Sequence, residues 1–196
     1  MLSWRSILTA VLVDPVKLTC HPTYIPDAVS GIIALAGFPE FGALTLTFIL
    51  KGDLARLRIP ARESPDRVDR LWEHTCFEAF VRGKGQAGYY EFNFSPSGEW
   101  AACAFRGYRQ RAPLEPSTSA PEIAVRQTSD ALELGATVCM DHLRLKDVPL
   151  ILGLSTVIED MHGRLSYWAL KHPLGNADFH HPDSFALEIP LAGHYS

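Results

Sequence analysis

Residues 71–106 read LWEHTCFEAFVRGKGQAGYYEFNFSPSGEWAACAFR, and this stretch decides the fold. Within it, residues 89–95 run Tyr, Tyr, Glu, Phe, Asn, Phe, Ser, a strict alternation of period two. Such a period puts Tyr90, Phe92 and Phe94 on one side of a strand and Tyr89, Glu91 and Asn93 on the other. Gly83, Gly85 and Gly88 on one flank, and Gly98 on the other, supply turn residues. Three consecutive strands joined by two turns follow.

The same signals recur outside the triplet. Residues 17–21 (KLTCH) fit a first short strand stopped by His21-Pro22, and residues 28–35 (AVSGIIAL) fit a strand or a helix turn. Residues 44–50 (LTLTFIL) alternate and are rich in β-formers. They turn at Lys51-Gly52-Asp53 into residues 54–59 (LARLRI), which reads as a hairpin with one wet face. Residues 60–70 hold charges and two prolines and read as an exposed loop. Residues 122–127 and 131–139 read as another hairpin, and the apolar run 150–158 as a central strand covered on both sides. Residues 165–170 and 184–189 complete the set, with a polar loop of several histidines between them. Nine or ten short strands and little helix predict an all-β antiparallel β-sandwich, immunoglobulin-like or jelly-roll.

The totals narrow the function. A chain of 196 residues fits one sandwich domain, expected over residues 17–196, with residues 1–16 as a weakly ordered leader. A formal charge of -4 argues against nucleic acid as a partner. No run is long enough for a membrane-spanning helix. The apolar residues 7–13 are short for a secretory signal and lead into Asp14-Pro15. Cys20, Cys76, Cys103 and Cys139 are scattered without a CxxC pair, so they read as buried hydrophobes of a cytoplasmic protein.

The polar side of the triplet carries the functional question. If residues 95–98 form a four-residue connection, Asn93 faces Trp100, Glu91 faces Ala102 and Tyr89 faces Ala104. Core-to-core matching brings Glu78 beside Glu91 or Asn93, with His74 and Trp72 further back on the same side. One surface then collects Glu78, Glu91, Asn93 and Trp100, with Tyr89 near, above small alanines. A flat indole with amide and carboxylate groups suits a sugar, or another polar ligand with an apolar face. Trp168 is a candidate second wall. The competing reading is an ordinary solvated face of an antiparallel sheet. Neighbouring carboxylates repel, however, and call for a partner, either Arg82, Arg106 or a bound cation such as calcium.

Three segments, LWEHTCFEAF, YYEFNFSPSGEWAACAF and SYWALKHPLGNADFHHPDSF, resemble the bacterial DOMON-like proteins. The resemblance is to the subgroup described alongside the peptidoglycan-precursor reductase MurB, and more broadly to family 9 carbohydrate-binding modules. It spans residues 18–191. It implies a ligand-binding sandwich, with haem or sugar as the ligand types.

For haem, the resemblance implies a methionine and a histidine as axial ligands, as in the DOMON cytochromes. Met140 with His142, and Met161 with His162, are the internal pairs, and neither matches a cytochrome motif. His172, His180 and His181 share one loop with Asp178 and Asp183, where backbone capping is a simpler role than metal binding. Glu78 and Glu91 could also form the acid/base pair of a glycoside-active enzyme. The expectation is therefore a non-catalytic domain that binds a carbohydrate, or a cell-wall-related saccharide, through Trp100, Asn93, Glu91, Glu78, Tyr89 and Trp168. A haem-binding redox module and an enzyme are the alternatives.

Overall fold

A computed structural model describes residues 11–38, 42–141, 143, 145 and 148–190. Thirteen strands occur among them, β1 (Val11–Leu12), β2 (Val16–Cys20), β3 (Val29–Phe38), β4 (Ala43–Gly52), β5 (Cys76–Gly83), β6 (Tyr89–Phe94) and β7 (Trp100–Gly107) coming first. The remainder are β8 (Gln110–Ala112), β9 (Glu122–Gln127), β10 (Ala131–Cys139), β11 (Leu150–Glu159), β12 (Leu165–Ala169) and β13 (Leu187–Ile189). The strand pairs are antiparallel. One sheet runs β2-β3-β4-β10-β9, the other β8-β7-β6-β5-β11-β12, and they are joined through β12 and β2. That seam is narrow: only Trp168↔Cys20 and Ala169↔Thr19 pair across it.

The sheets close face to face into a β-sandwich. Leu44, Leu46, Phe48 and Leu50 of β4 and Leu132, Leu134, Ala136 and Val138 of β10 point inward. They meet Phe77, Phe92, Phe94, Leu152 and Leu154 of the second sheet, with the Phe48 and Phe77 rings 5.3 Å apart. The period-two pattern of β4 and β10 follows from this, since their outer faces meet water.

The second sheet behaves differently. β5, β7 and β11 are buried on nearly every residue, so their outer face is covered as well. Residues 60–70 run along the edge of β7, where Val68 donates to the Trp100 carbonyl at 2.8 Å. Residues 170–186 leave β12 and return as β13 against the same edge of β11. Gly153 admits this passage: a Cβ there would stand 3.1 Å from the Ser184 carbonyl oxygen and 3.4 Å from the Phe80 Cβ.

One expectation is corrected here. Residues 54–59 are not the second arm of a hairpin. Residues 54–56 form a 3-10 turn capped by Asp53, whose carboxylate accepts from the Ala55 amide, and Leu57 makes an isolated bridge to Asp160. The capping competes with strand formation, as short Asp side chains do. β1 and the start of β2 also lie within residues assigned to the leader, and Val11 and Leu12 pair with Phe38 and Gly37. Residues 1–10 of that leader lie outside the described residues, as does His142.

Candidate functional site

The turn after β6 fixes what faces outward. Gly98 takes a left-handed φ of 98°, and Ser95 donates its amide to the Glu99 carbonyl at 2.9 Å. The Ser97 hydroxyl donates to Glu99 Oε2 at 2.8 Å, and its oxygen lies 2.7 Å from the Ser95 hydroxyl. The connection therefore holds five residues, 95–99, not four, and Phe94 pairs with Trp100. A slip of one residue turns every side chain of a strand over. Trp100 is thus carried to the interior face beside Phe94, where it is 6% exposed, and Ala102 and Ala104 go with it. Ala101 and Cys103 stand opposite Asn93 and Glu91 instead.

Glu78 pairs with Asn93 on one side and Ser155 on the other. Both lie on the outer face with Glu91 and Tyr89, and all five residues are buried. This face is not a solvated one.

Above it lies a cavity of about 550 Å³. Glu78, Phe80, Glu91, Phe105 and Val157 form its floor, from the sheet. Trp72 and Glu73, from the turn preceding β5, form one wall with Leu165 and Tyr167 of β12. Arg109 and Arg111 come from the β7–β8 hairpin, and Ala177, Phe179 and His180 come from the loop between β12 and β13.

The roof is tied to the floor. Tyr89 stacks on Phe105 at 4.6 Å, and its hydroxyl accepts the Arg109 amide at 3.1 Å. The hydroxyl proton is then free for Nδ1 of His180, 2.8 Å away. That assignment leaves the ring proton on Nε2, which faces Glu91 Oε2 at 3.8 Å. The Arg109 guanidinium donates to Asp178 at 2.8 Å, clamping the same loop from outside.

Burial, followed by the Arg109 charge, lowers the His180 pKa to about 4. His180 is therefore neutral near neutral pH, and its 3.8 Å approach to Glu91 is not a formed ion pair. Glu91 accepts from the Asn93 amide at 2.8 Å. Its pKa is raised by burial, an effect that Asn93, Arg111 and Arg109 partly offset. Burial, then repulsion by Glu91, drives the Glu78 carboxyl well above the ordinary carboxylate range. Glu78 Oε1 and Ser155 Oγ are buried and have no hydrogen-bond partner. Two orphaned polar atoms on neighbouring strands are unusual in a folded interior.

The six sequence candidates divide accordingly. Glu78 and Glu91 line the cavity, Asn93 sits beneath them holding Glu91, and Tyr89 holds the roof. Trp168 does not reach the cavity; it lies in the interior, and its indole donates to Ser166 Oγ at 3.1 Å. Trp100 and Trp168 share one interior row, Trp100–Phe94–Phe77–Thr156–Trp168. Four strand spacings separate them, about 19 Å. They are not two walls of one cleft.

Sequence reasoning passed over Phe179 and Arg111, and took His180 for a backbone cap of its loop rather than a wall of the cavity. Their loops lie far from β5 and β6 along the chain, and no periodicity marks them. Trp72 lines the cavity, but from a 3-10 turn over Leu71–Glu73 rather than from the backward extension of β5 on which strand parity placed it. Neither methionine lines the cavity: Met140 is buried in the interior and Met161 is 54% exposed on the β11–β12 turn beside His162. These donors do not frame a haem site there. Among the described residues, no group of three or more His, Cys, Asp or Glu side chains converges as calcium or zinc ligands would.

No protein-family model matches the chain, and no curated protein matches it in sequence. Solved structures are similar in shape. A candidate carbohydrate-binding protein from Bacteroides uniformis superposes with a TM-score of 0.68 at 14% identity, over 88% of this chain and 84% of that one. A family 9 carbohydrate-binding module from Caldicellulosiruptor kristjanssonii, in complex with glucose, gives 0.52 at 12% identity over 91% and 86%. A module of that family from the same organism, in complex with cellotriose, gives 0.50 at 11% over 92% and 84%. At such identities the likeness is one of fold: this chain shares the β-sandwich of family 9 carbohydrate-binding modules.

Proposed function

We propose that this sandwich binds a saccharide in the cleft over the outer face of its second sheet. One observation carries the reading: a single cavity over the outer face brings the Glu78 and Glu91 carboxyl groups together with Trp72, Tyr167 and Phe179. Sugar rings offer hydroxyls around their edge and C–H groups on their faces. Trp72, Tyr167 and Phe179 provide flat surfaces for the faces, while Glu78, Glu91 and Arg111 provide polar atoms for the edge. The fold shared with modules crystallised on glucose and cellotriose favours the same ligand class. The resemblance to MurB-associated DOMON-like proteins favours it too, with a cell-wall-related saccharide as the narrower form.

A glycan array followed by titration calorimetry tests the reading. Binding to at least one saccharide is expected, weakened about tenfold or more in Tyr167→Ala and Trp72→Ala. Unchanged affinity in both variants, or no binding to any glycan, rejects it.

A second reading, glycoside cleavage, is favoured by two carboxyl groups of unlike environment in one cavity. In it Glu78, kept protonated by burial, is the general acid. Turnover of an aryl glycoside that disappears in Glu78→Gln would establish this reading; no turnover across a panel removes it.

A further inference from the structure

β9 is the outer strand of the first sheet, and among the described strands its second edge has no partner. It pairs with β10 from Glu122↔Thr137 to Gln127↔Leu132 without a bulge, and no proline interrupts it. Open edges of this kind recruit another strand, because their unpaired amides and carbonyls form a template. The turn that follows shows which groups those are. Thr128 donates its amide to the Ala131 carbonyl at 2.8 Å, so the bonded pairs alternate back through Arg126–Glu133, Ala124–Gly135 and Glu122–Thr137. The amides and carbonyls of Ile123 and Val125 therefore point away from β10, and no described residue bonds to them.

The strand is complementary to itself. Turned about a two-fold axis at Ala124 and paired antiparallel, two copies set Ala124 against Ala124, Ile123 against Val125 and Glu122 against Arg126. Facing residues share a side of the sheet. The outer side then carries two Glu–Arg pairs flanking a contact between small alanines. The inner side carries two Ile–Val pairs, beside a groove that Ile59, Pro60 and Pro96 line together with Ile123 and Val125. Glu122 and Arg126 are both exposed, and neither has an ion pair or side-chain hydrogen bond with a described residue. Moving the axis by one residue loses both charge pairs. In one direction Pro121, which has no amide, comes opposite Val125; in the other, Arg126 comes opposite Ala124.

We propose that β9 is a dimerisation edge, through which a second copy of this chain extends the first sheet by antiparallel pairing about Ala124. Each copy donates the Ile123 amide to the other's Val125 carbonyl, and the Val125 amide to the other's Ile123 carbonyl. None of the residues lining the cleft over the second sheet belongs to β9, so the pairing joins two clefts in one assembly.

Sedimentation equilibrium of the unmodified chain over a concentration series tests this, with hydrogen exchange read at Ile123 and Val125. A monomer–dimer equilibrium is expected, with exchange at those two amides slowing as the dimer forms. Glu122→Arg and Arg126→Glu each set like charges opposite one another twice in the dimer, and each should weaken it about tenfold. The two substitutions combined restore opposite charges and should return the affinity to within about twofold of the unmodified chain. Both positions are exposed, so the fold withstands the exchange. A monomer at every concentration overturns the inference, and slow exchange at these amides in that monomer would assign the edge to another segment of the same chain. A dimer indifferent to both single substitutions overturns it as well, by placing the contact elsewhere.

Discussion

The Tyr89 hydroxyl and Nδ1 of His180 lie 2.8 Å apart, joining the second strand of the central triplet to a loop ninety-one residues later. Together with the Arg109–Asp178 pair, this bond holds the loop over the outer face of the second sheet. Tyr89→Phe leaves the Arg109 amide and His180 Nδ1 without their partner. A loss of about 1–3 kcal/mol in stability is expected, measured by urea unfolding. Faster hydrogen exchange across residues 176–181 should accompany it, along with weaker saccharide binding.

Glu78→Gln is expected to stabilise the protein. The native state holds the Glu78 proton more tightly than the unfolded chain does. Wild-type stability therefore declines as pH rises above the unfolded carboxylate value of about 4.3. The variant escapes this decline, so its advantage should be on the order of 1 kcal/mol or more at neutral pH and vanish below pH of about 4. Melting temperatures of both proteins across that range provide the check. A variant less stable at every pH would show that Glu78 is ionised and paired.

His180 has the opposite sign. Its native pKa of about 4 lies below the unfolded value of 6.5, so the unfolded chain gains a proton first as pH falls. Stability should decline between pH of about 6.5 and 4 by a few kcal/mol and then level off. His180→Gln should lack that part of the slope. Denaturant midpoints of the two proteins, compared across this range, isolate the contribution from that of the carboxylates.

Gly153→Val should displace the loop. Its Cβ meets a backbone carbonyl, which cannot rotate aside as a side chain can. A cost of about 1–3 kcal/mol is expected. Saccharide affinity should fall further than in a surface control, because Phe179 and His180 ride on the same segment.

Trp100→Ala separates a core role from a ligand-contact role. At 6% exposure and packed with Phe94 in the interior, Trp100 should cost about 3–5 kcal/mol on truncation. Any remaining folded protein should still bind saccharide.

Much of this fold was legible in the sequence. The alternations of residues 44–50, 89–95 and 131–139 gave their strands and faces correctly, because each has one side against the interior. The pairing of Glu78 with Asn93 was among those expected. The error lay in one turn. Ser95, Ser97 and Glu99 hydrogen-bond among themselves and, with Gly98 left-handed, lengthen the connection by a residue. Composition alone does not distinguish a four- from a five-residue turn, yet that one residue moved Trp100 from the proposed platform to the core. The cavity roof was illegible for a different reason. Its residues have no period, and they are held by long-range bonds such as Arg109 to Asp178.

The loop of residues 170–186 begins and ends on one strand. β12 leaves β11 at Ser155, and β13 rejoins it at Leu152, three residues away and on the same edge. The two anchor points are thus about 10 Å apart on a rigid support. Such a segment is an insert carried by one strand: its ends are fixed by the pairing of β11, and its interior alone supplies the Ala177, Phe179 and His180 side of the cleft. A library built on residues 172–181, with Asp178 and His180 retained as clasps, would vary what the cleft recognises without redesigning the sandwich that carries it.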